Sequence, residues 1–301
     1  MNISPIDCVG WLAGSLLFGA LAGCHPATEG VCIEGSDTMV NLAQGWAEDY
    51  HATHPEAMIQ VSGGGTGVGI ASLIDGNCEI ASASRTMKDV EKERVRARRR
   101  QEPLEFIVGL DALAVYVHKD NPLDSISMED LAEIYGQGGK ITRWSQLGLD
   151  PKRLGNDTII RVCRQIGSGT RDYFREAVMG KTRDYMLGSI DQNGSVDVVA
   201  LVANTPSAIG YSGMGYAVAG VKMLKISKHK GEPGIAPTVE NAKKREGGYP
   251  ITRPLLLYTA GYPQGRTKQF LDWILDAPGQ KVVAELQYVP VGHCVPSGHS
   301  E

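Results

Sequence analysis

The stretch IQVSGGGTGVGIASLID, residues 59–75, indicates the fold class of this chain. Its first residues, Ile59 to Val61, predict a short strand, and the segment from Ile70 to Asp75 predicts a helix. A glycine-rich turn at residues 63–69 joins the two directly. Units of this kind build parallel sheets with crossover helices, so the stretch predicts an α/β protein.

The same strand, turn and helix pattern occurs at two other places. Residues 31–34 predict a strand that leads through Gly35-Ser36-Asp37-Thr38 into an amphipathic helix. Residues 159–162 predict another strand, followed by Gly167-Ser168-Gly169-Thr170 and a helical segment at residues 172–179. Strand-like and helix-like segments alternate along most of the chain, which favours the α/β class throughout.

Length and composition describe an ordered globular protein. The chain has 301 residues, of which 42% are hydrophobic and 21% charged, enough for two cores or one large domain. Its formal net charge of -4 gives no general attraction for nucleic acid, so no nucleic-acid partner is expected. A small anionic ligand would have to be held by local dipoles and individual cations, because the overall charge repels it.

The first 24 residues resemble a bacterial lipoprotein signal. The uncharged run from Val9 to Ala22 has 14 residues, too short to span a bilayer comfortably. It ends in Leu-Ala-Gly-Cys, similar to the lipobox in which the cysteine is lipidated. We therefore expect residues 1–23 to be a signal peptide and Cys24 to anchor the protein on the extracytoplasmic side of a membrane. The alternative is an ordinary signal peptide or a buried helix, and Asp7, without any Lys or Arg near it, departs from the usual basic start.

The remaining cysteines and the histidines do not form a metal-binding pattern. No CxxC spacing occurs among Cys32, Cys78, Cys163 and Cys294, which leaves up to two disulfides or buried free thiols as alternatives. His51 and His54 have helical spacing but no third ligand nearby, as in an ordinary surface pair. No metal or other cofactor is predicted.

The three turns have the composition of an oxyanion site. A helix N-terminus exposes unpaired N–H groups and a partial positive charge, glycine lets the main chain approach a ligand, and Ser or Thr adds neutral donors. Each helix end contributes about 0.3 to 2 kcal/mol, so three of them with one arginine suffice for micromolar capture. Arg164, shortly before the third turn, supplies that cation.

Catalytic and nucleotide-binding motifs are not found. The glycine turn lacks the Lys-Ser/Thr of a Walker A loop, and no register gives G-x-G-x-x-G. The chain also has no G-x-S-x-G elbow and no evident histidine partner for a serine. We therefore expect a binding protein and not an enzyme, with an exported phosphatase as the less favoured alternative.

Five motifs in this order resemble the phosphate-binding proteins of phosphate-specific ABC transporters. They are Gly35-Ser36-Asp37-Thr38-Met39, Gly63-Gly64-Gly65-Thr66-Gly67, Ala83-Ser84-Arg85, Arg164 with Gly167-Ser168-Gly169-Thr170-Arg171, and Ala208-Ile209-Gly210-Tyr211. The resemblance extends from about residue 31 to residue 292. It implies a monomer with the periplasmic-binding-protein fold of type II, whose two lobes are joined by two crossover strands. Its partners would be inorganic phosphate and the permease and ATPase subunits of an ABC transporter.

The resemblance also implies how the chain is divided and which residues bind phosphate. Residues 24–110 with 216–301 would form the first lobe and residues 111–215 the second. The apolar runs at residues 110–117 and 206–216 are each a candidate for a strand that crosses between the lobes. The first lobe would contribute Ser36, Asp37, Thr38, Thr66, Gly67, Ser84 and Arg85, and the second Arg164, Ser168, Gly169 and Thr170.

The chain departs from that family's pattern at two acidic positions. Many members have an acidic residue directly before the Gly-Ser-Gly-Thr turn, where it pairs with the arginine, and here Ile166 occupies that place. Many also have an Asp that accepts the proton of hydrogen phosphate near the position of Ser84 and Arg85. Asp37 is the candidate for that second role, and simple helix capping is its alternative. Sulfate, molybdate or a phosphonate therefore stays open as the ligand.

Overall fold

The computed structural model describes residues 30–244 and 246–292. The predicted signal peptide, Cys24 and Cys294 lie outside these ranges. Within them, no helix has the length and apolar composition needed to cross a bilayer.

Strands and helices alternate along the chain, as the sequence predicts. The strands are β1 (Val31–Gly35), β2 (Ile59–Ser62), β3 (Ile80–Ala83), β4 (Pro103–His118), β5 (Ser125–Ser127), β6 (Ile160–Arg164), β7 (Ile190–Gln192), β8 (Ala208–Gly213), β9 (Val221–Met223), β10 (Lys225–Ser227) and β11 (Thr252–Ala260). The α-helices are α1 (Val40–Thr53), α2 (Thr66–Asp75), α3 (Asp89–Arg99), α4 (Met128–Tyr135), α5 (Gly169–Phe174), α6 (Ser195–Ala203), α7 (Val239–Lys243), α8 (Gly265–Leu275) and α9 (Ala277–Glu285). A π-helical turn, Arg175–Met179, follows α5, and short 3₁₀ turns lie at Trp144–Leu147, Pro151–Arg153 and Met214–Tyr216.

One long strand joins two lobes. The 16-residue strand β4 pairs with β11 through residues 103–112 and with β8 through residues 113–117. The sheet order is β2-β1-β3-β11-β4-β8-β6-β7, with parallel pairs around β1 in the first lobe and around β6 in the second. Because the carboxyl ends of these parallel strands feed α1, α2 and α5, the helix starts of both lobes lie at the cleft between them.

Each lobe has its own apolar core. In the first lobe, Trp46 of α1 and Phe270 of α8 pack against residues of β1, β4 and β11. In the second, Trp144 and Phe174 pack against β4, β6 and β8. The lobes are therefore separately packed bodies that share a strand.

The return crossing lies later in the chain than residues 215–216, where the resemblance placed it. Strand β9 pairs with the second half of β4, and β10 pairs with β5. Ala242, Tyr249 and Ile251 are also buried in the core of the second lobe. Strand β8 is an interior strand of that lobe, since both of its edges are paired, and this explains its apolar sequence. The first lobe resumes at β11, so residues 217–244 and 246–251 belong to the second.

The three cysteines in the described ranges, Cys32, Cys78 and Cys163, are free thiols. Burial raises the pKa of the Cys78 thiol to about 12 and that of Cys163 to about 11. Both side chains therefore stay protonated at neutral pH and pack as small apolar groups.

Candidate functional site

Hydroxyl groups from both lobes meet at the cleft. Thr38 Oγ1 lies 2.7 Å from Thr170 Oγ1, which in turn lies 3.5 Å from Ser84 Oγ. Thr66 Oγ1 lies 3.4 Å from Ser84 Oγ and accepts the Ser84 N–H at 3.1 Å. All four side chains are buried. The structure thus gathers four of the predicted ligands into one set of neutral donors, called here the hydroxyl cluster.

The glycines of the turns bring the two main chains into contact. Gly67 N–H donates to Gly167 O at 3.0 Å, which links the N-terminus of α2 to the turn before α5. A Cβ at Gly169 would lie 2.3 Å from Thr66 Oγ1 and 2.7 Å from Ser84 Oγ. Only glycine fits at position 169 while the lobes are in this arrangement.

Two further predicted serines lie beside the cluster with local structural roles. Ser168 caps α5, since its side chain accepts the Arg171 N–H at 3.4 Å. Ser36 is buried just after β1, where its N–H donates to Ser82 Oγ at 2.9 Å. Both residues lie in a turn between a strand and the helix that follows it, where serine is a favoured residue.

Arg164, the last residue of β6, is buried beside the cleft with its guanidinium fully engaged. It donates to Ser195 Oγ at 3.1 Å, to Asn193 O at 3.0 Å and to Asp37 Oδ2 at 2.6 Å. Burial lowers the pKa of Arg164, and the carboxylate of Asp37 opposes that shift. The guanidinium keeps its charge, because an arginine pKa lies far above neutrality.

Asp37 bridges the lobes and does not cap a helix. The N-cap of α1 is Met39, and no side chain caps that helix. Instead Asp37 Oδ1 accepts the Gly64 N–H at 2.8 Å, and Oδ2 accepts from Arg164 and, at 3.3 Å, from Gln165 Nε2. The capping alternative is therefore wrong, and Asp37 is the counter-ion of an arginine in the opposite lobe.

Sequence reasoning missed a second buried ion pair behind the hydroxyl cluster. Arg253 of β11 donates from Nη1 to Thr170 Oγ1 at 3.0 Å and from Nη2 to Thr38 Oγ1 at 3.3 Å. Asp111 of β4 holds the same guanidinium, with Oδ2 3.1 Å from Nε and 2.9 Å from Nη2. Burial raises the pKa of Asp111, and Arg253 acts in the opposite direction. The sequence contained a signal for this pair, because Asp111 and Arg253 are charged residues inside apolar strands and such residues are almost always paired.

Comparison with known proteins places the chain in a family. A family model described as PBP superfamily domain matches residues 22–278. The phosphate-binding protein PstS of Pseudomonas aeruginosa is 33% identical over 267 residues, which cover 85% of this chain and 81% of that protein. The PstS of Bacillus subtilis is 31% identical over 89% of this chain and 83% of that protein. The chain belongs to the PBP superfamily, among the PstS proteins.

Solved structures agree with this assignment. A putative phosphate ABC transporter substrate-binding protein from Clostridium perfringens, with bound phosphate, superimposes with a TM-score of 0.76 at 30% identity. The match covers 87% of this chain and 99% of that one. An ABC-type phosphate transport receptor from Vibrio cholerae gives a TM-score of 0.66 at 28% identity, over 86% of this chain and 99% of that one. The predicted two-lobed binding-protein fold is confirmed.

Within this PstS-like site, Asp37 explains the departure at Ile166. The side chain of Ile166 is 88% exposed to solvent, so it does not pair with the buried Arg164. The carboxylate that the resemblance expects beside the arginine comes from Asp37 of the first lobe instead. The pair is thereby moved from within one lobe to a contact between lobes, and it can form only when the lobes approach each other.

Arg85 is a predicted ligand whose guanidinium group contacts other residues instead of the hydroxyl cluster. Its Nη1 and Nη2 donate to the carboxylate of Glu91 at 2.8 and 2.7 Å, and Nη1 also donates to Thr86 O. Its Nε lies 3.1 Å from Asp172 Oδ2. Since carboxylates occupy this guanidinium, the cations beside the hydroxyl cluster are Arg164 and Arg253.

Two arginines and two aspartates give the site no formal net charge. An anion that enters it meets neutral hydroxyl donors, the positive ends of α2 and α5, and guanidinium groups whose counter-charges are fixed. The carboxylates repel a bare dianion but accept a hydrogen bond from a protonated one. The arrangement is suited to reversible capture of a protonated oxyanion.

Proposed function

We propose that this chain captures inorganic phosphate between its two lobes and delivers it to the permease and ATPase subunits of an ABC transporter. The observation that carries the proposal is the convergence of Thr38, Thr66, Ser84 and Thr170 from both lobes at the cleft. In this proposal the oxyanion accepts hydrogen bonds from those hydroxyls and from the N–H groups of α2 and α5. Because the donors come from both lobes, ligand binding and lobe closure are one event.

The phosphate assignment is supported by the relatives, which are named phosphate-binding proteins, and by the carboxylates of the site. Another oxyanion in the same cleft is the second candidate, since hydroxyls and guanidinium groups bind sulfate equally well. The protein binds its ligand without turnover, acts as a monomer and works on the extracytoplasmic side of the membrane.

Calorimetry with an anion panel tests the ligand. Phosphate is expected to bind with micromolar or tighter affinity at neutral pH, and sulfate, molybdate and methylphosphonate at least about tenfold more weakly. Sulfate and molybdate lack the proton that a site carboxylate accepts, and in methylphosphonate a methyl group replaces one of the oxygens. If sulfate or molybdate binds more tightly than phosphate, that anion is the ligand and the phosphate assignment is wrong. Steady hydrolysis of a phosphomonoester would show that the protein is a phosphatase and not a transport receptor.

We also propose that Cys24 carries a lipid anchor after removal of residues 1–23. The wild-type protein expressed in a bacterial host should fractionate with membranes, and Cys24→Ala should be released as soluble protein, because one marginal signal segment without acyl chains gives no stable anchoring. Mass spectrometry of the mature N-terminus checks the same point. A Cys24→Ala protein that stays in the membrane fraction, or cleavage at another residue, contradicts the anchor.

A further inference from the structure

Asp172 of α5 contacts two cations of the opposite lobe at the edge of the cleft. Its Oδ2 lies 3.1 Å from Arg85 Nε and 3.0 Å from Lys88 Nζ. Arg85 and Lys88 lie between β3 and α3 in the first lobe, whereas Asp172 moves with the second. Because the lobes are joined by a strand and a return crossing at one side, rotation about that hinge would separate these charges.

Arg85 is held in position for this contact. The two hydrogen bonds to Glu91 fix the plane of its guanidinium, and the side chain is 8% exposed. Although burial opposes the shift, these bonds from Arg85 lower the pKa of Glu91, so the carboxylate remains charged at neutral pH. The Nε contact to Asp172 is a charge contact without hydrogen-bond alignment. Such a contact forms and breaks without local rearrangement of the arginine.

Water reaches these charges from one side. A cavity of about 310 Å³ is lined by Arg85, Lys88, Asp172, Tyr173, Arg175 and Glu176. Asp172 is 32% exposed and Lys88 is 56% exposed. Solvent screening keeps the attraction modest and dependent on ionic strength, which suits a contact that must open in every transport cycle.

We propose that Arg85, Lys88 and Asp172 form an interlobe latch that slows release of the bound anion, with Arg85 as a positioning residue and not an anion ligand. The effect on anion release rests on the proposed phosphate function, whereas the effect on lobe closure does not. The latch differs from the pair of Asp37 and Arg164, because it lies at the cleft edge, where the side chains of Arg85 and Lys88 contact the carboxylates of Glu91 and Asp172.

Stopped-flow release of phosphate from Asp172→Asn tests the latch. The off-rate should rise about three- to tenfold, with little change in the on-rate, since a solvated contact formed after encounter acts on dissociation. Added KCl should raise the wild-type off-rate more than that of the variant, because it screens the latch only where the latch exists. The matched control is Asp75→Asn, which removes the exposed 3.0 Å contact with Arg98 inside the first lobe and should leave release unchanged.

A double mutant distinguishes positioning from ligation. Arg85→Gln and Asp172→Asn together should release phosphate no faster than the worse single variant, because both remove the same contact. Independent, multiplicative losses of affinity would make Arg85 an anion ligand and overturn the proposal, as would an unchanged off-rate in Asp172→Asn. If the wild type binds no phosphate, the phosphate function fails. Small-angle scattering without anion then still tests the latch, since Asp172→Asn should increase the radius of gyration and an unchanged radius contradicts it.

Discussion

Replacing Arg164 with alanine is expected to weaken phosphate binding about tenfold to a hundredfold or more, since a charge-assisted hydrogen bond contributes about 1.5 to 3 kcal/mol. The residue ends β6 beside the turn that starts α5, and its guanidinium connects Asp37 in the first lobe with Ser195 and Asn193 in the second. The substitution removes a cation from the site and leaves the carboxylate of Asp37 without its partner, so both attraction for the anion and lobe closure are lost. Calorimetry with phosphate measures the loss.

Arg161, on the same strand, provides the matched control. Its Nη2 donates to Leu187 O at 3.0 Å, away from the hydroxyl cluster. Arg161→Ala should bind phosphate like the wild type, and Arg164→Lys should recover only part of the affinity, because an ammonium cannot reproduce the planar set of donors. A thermal melt of each variant separates loss of the site from loss of the fold. Equal affinities for Arg164→Ala and Arg161→Ala would remove Arg164 from the site.

Local patterns predicted much of the fold because strand-to-helix turns are determined by nearby residues. The turns at Gly35, Gly63 and Gly167 are found where the sequence places them, and α1, α2 and α5 follow them. The boundary between the lobes could not be predicted from local patterns in the same way. Residues 217–244 and 246–251 contain polar loops with scattered apolar residues, and they are assigned to the second lobe by their pairing with β4 and β5 and by the burial of Tyr249 and Ile251 in its core. Such pairing depends on contacts far apart in the chain, which no local pattern encodes.

Three members of the hydroxyl cluster were predictable for the same reason, since Thr38, Thr66 and Thr170 lie in those turns. Ser84 follows β3, and only the family resemblance predicted it. The contacts of the charged groups could not be predicted from the sequence. Arg85 follows Ser84 directly, yet Glu91 and Asp172 turn its guanidinium away from the cluster. Arg253 and Asp111 are separated by 142 residues and form one ion pair because β11 and β4 are neighbours. Adjacency in sequence therefore predicts backbone and cap positions better than it predicts the direction of a long side chain.

Asp37→Asn is expected to reduce the preference for phosphate over sulfate by about tenfold or more, which corresponds to about 1.4 kcal/mol. The carboxylate is fixed by Gly64 and Arg164, so a dianion in the cleft meets a charge that cannot move away. Two unit charges 4 Å apart interact with about 4 kcal/mol at an effective dielectric of 20, a repulsion that sulfate experiences in full. Hydrogen phosphate offsets part of it by donating its proton, which contributes about 1.5 to 3 kcal/mol.

The asparagine variant separates these contributions because it keeps the shape of the side chain and an oxygen for Gly64 N–H while it removes the charge. Sulfate affinity should rise, since the positive charge of Arg164 is no longer neutralised, and phosphate affinity should fall because the carboxylate that accepts its proton is lost. Paired calorimetric titrations of both anions measure the ratio, with Asp49→Asn on the exposed face of α1 as the control. If both affinities change by the same factor, Asp37 only holds Arg164 in place. Discrimination between the anions would then have to come from Asp111 behind the hydroxyl cluster.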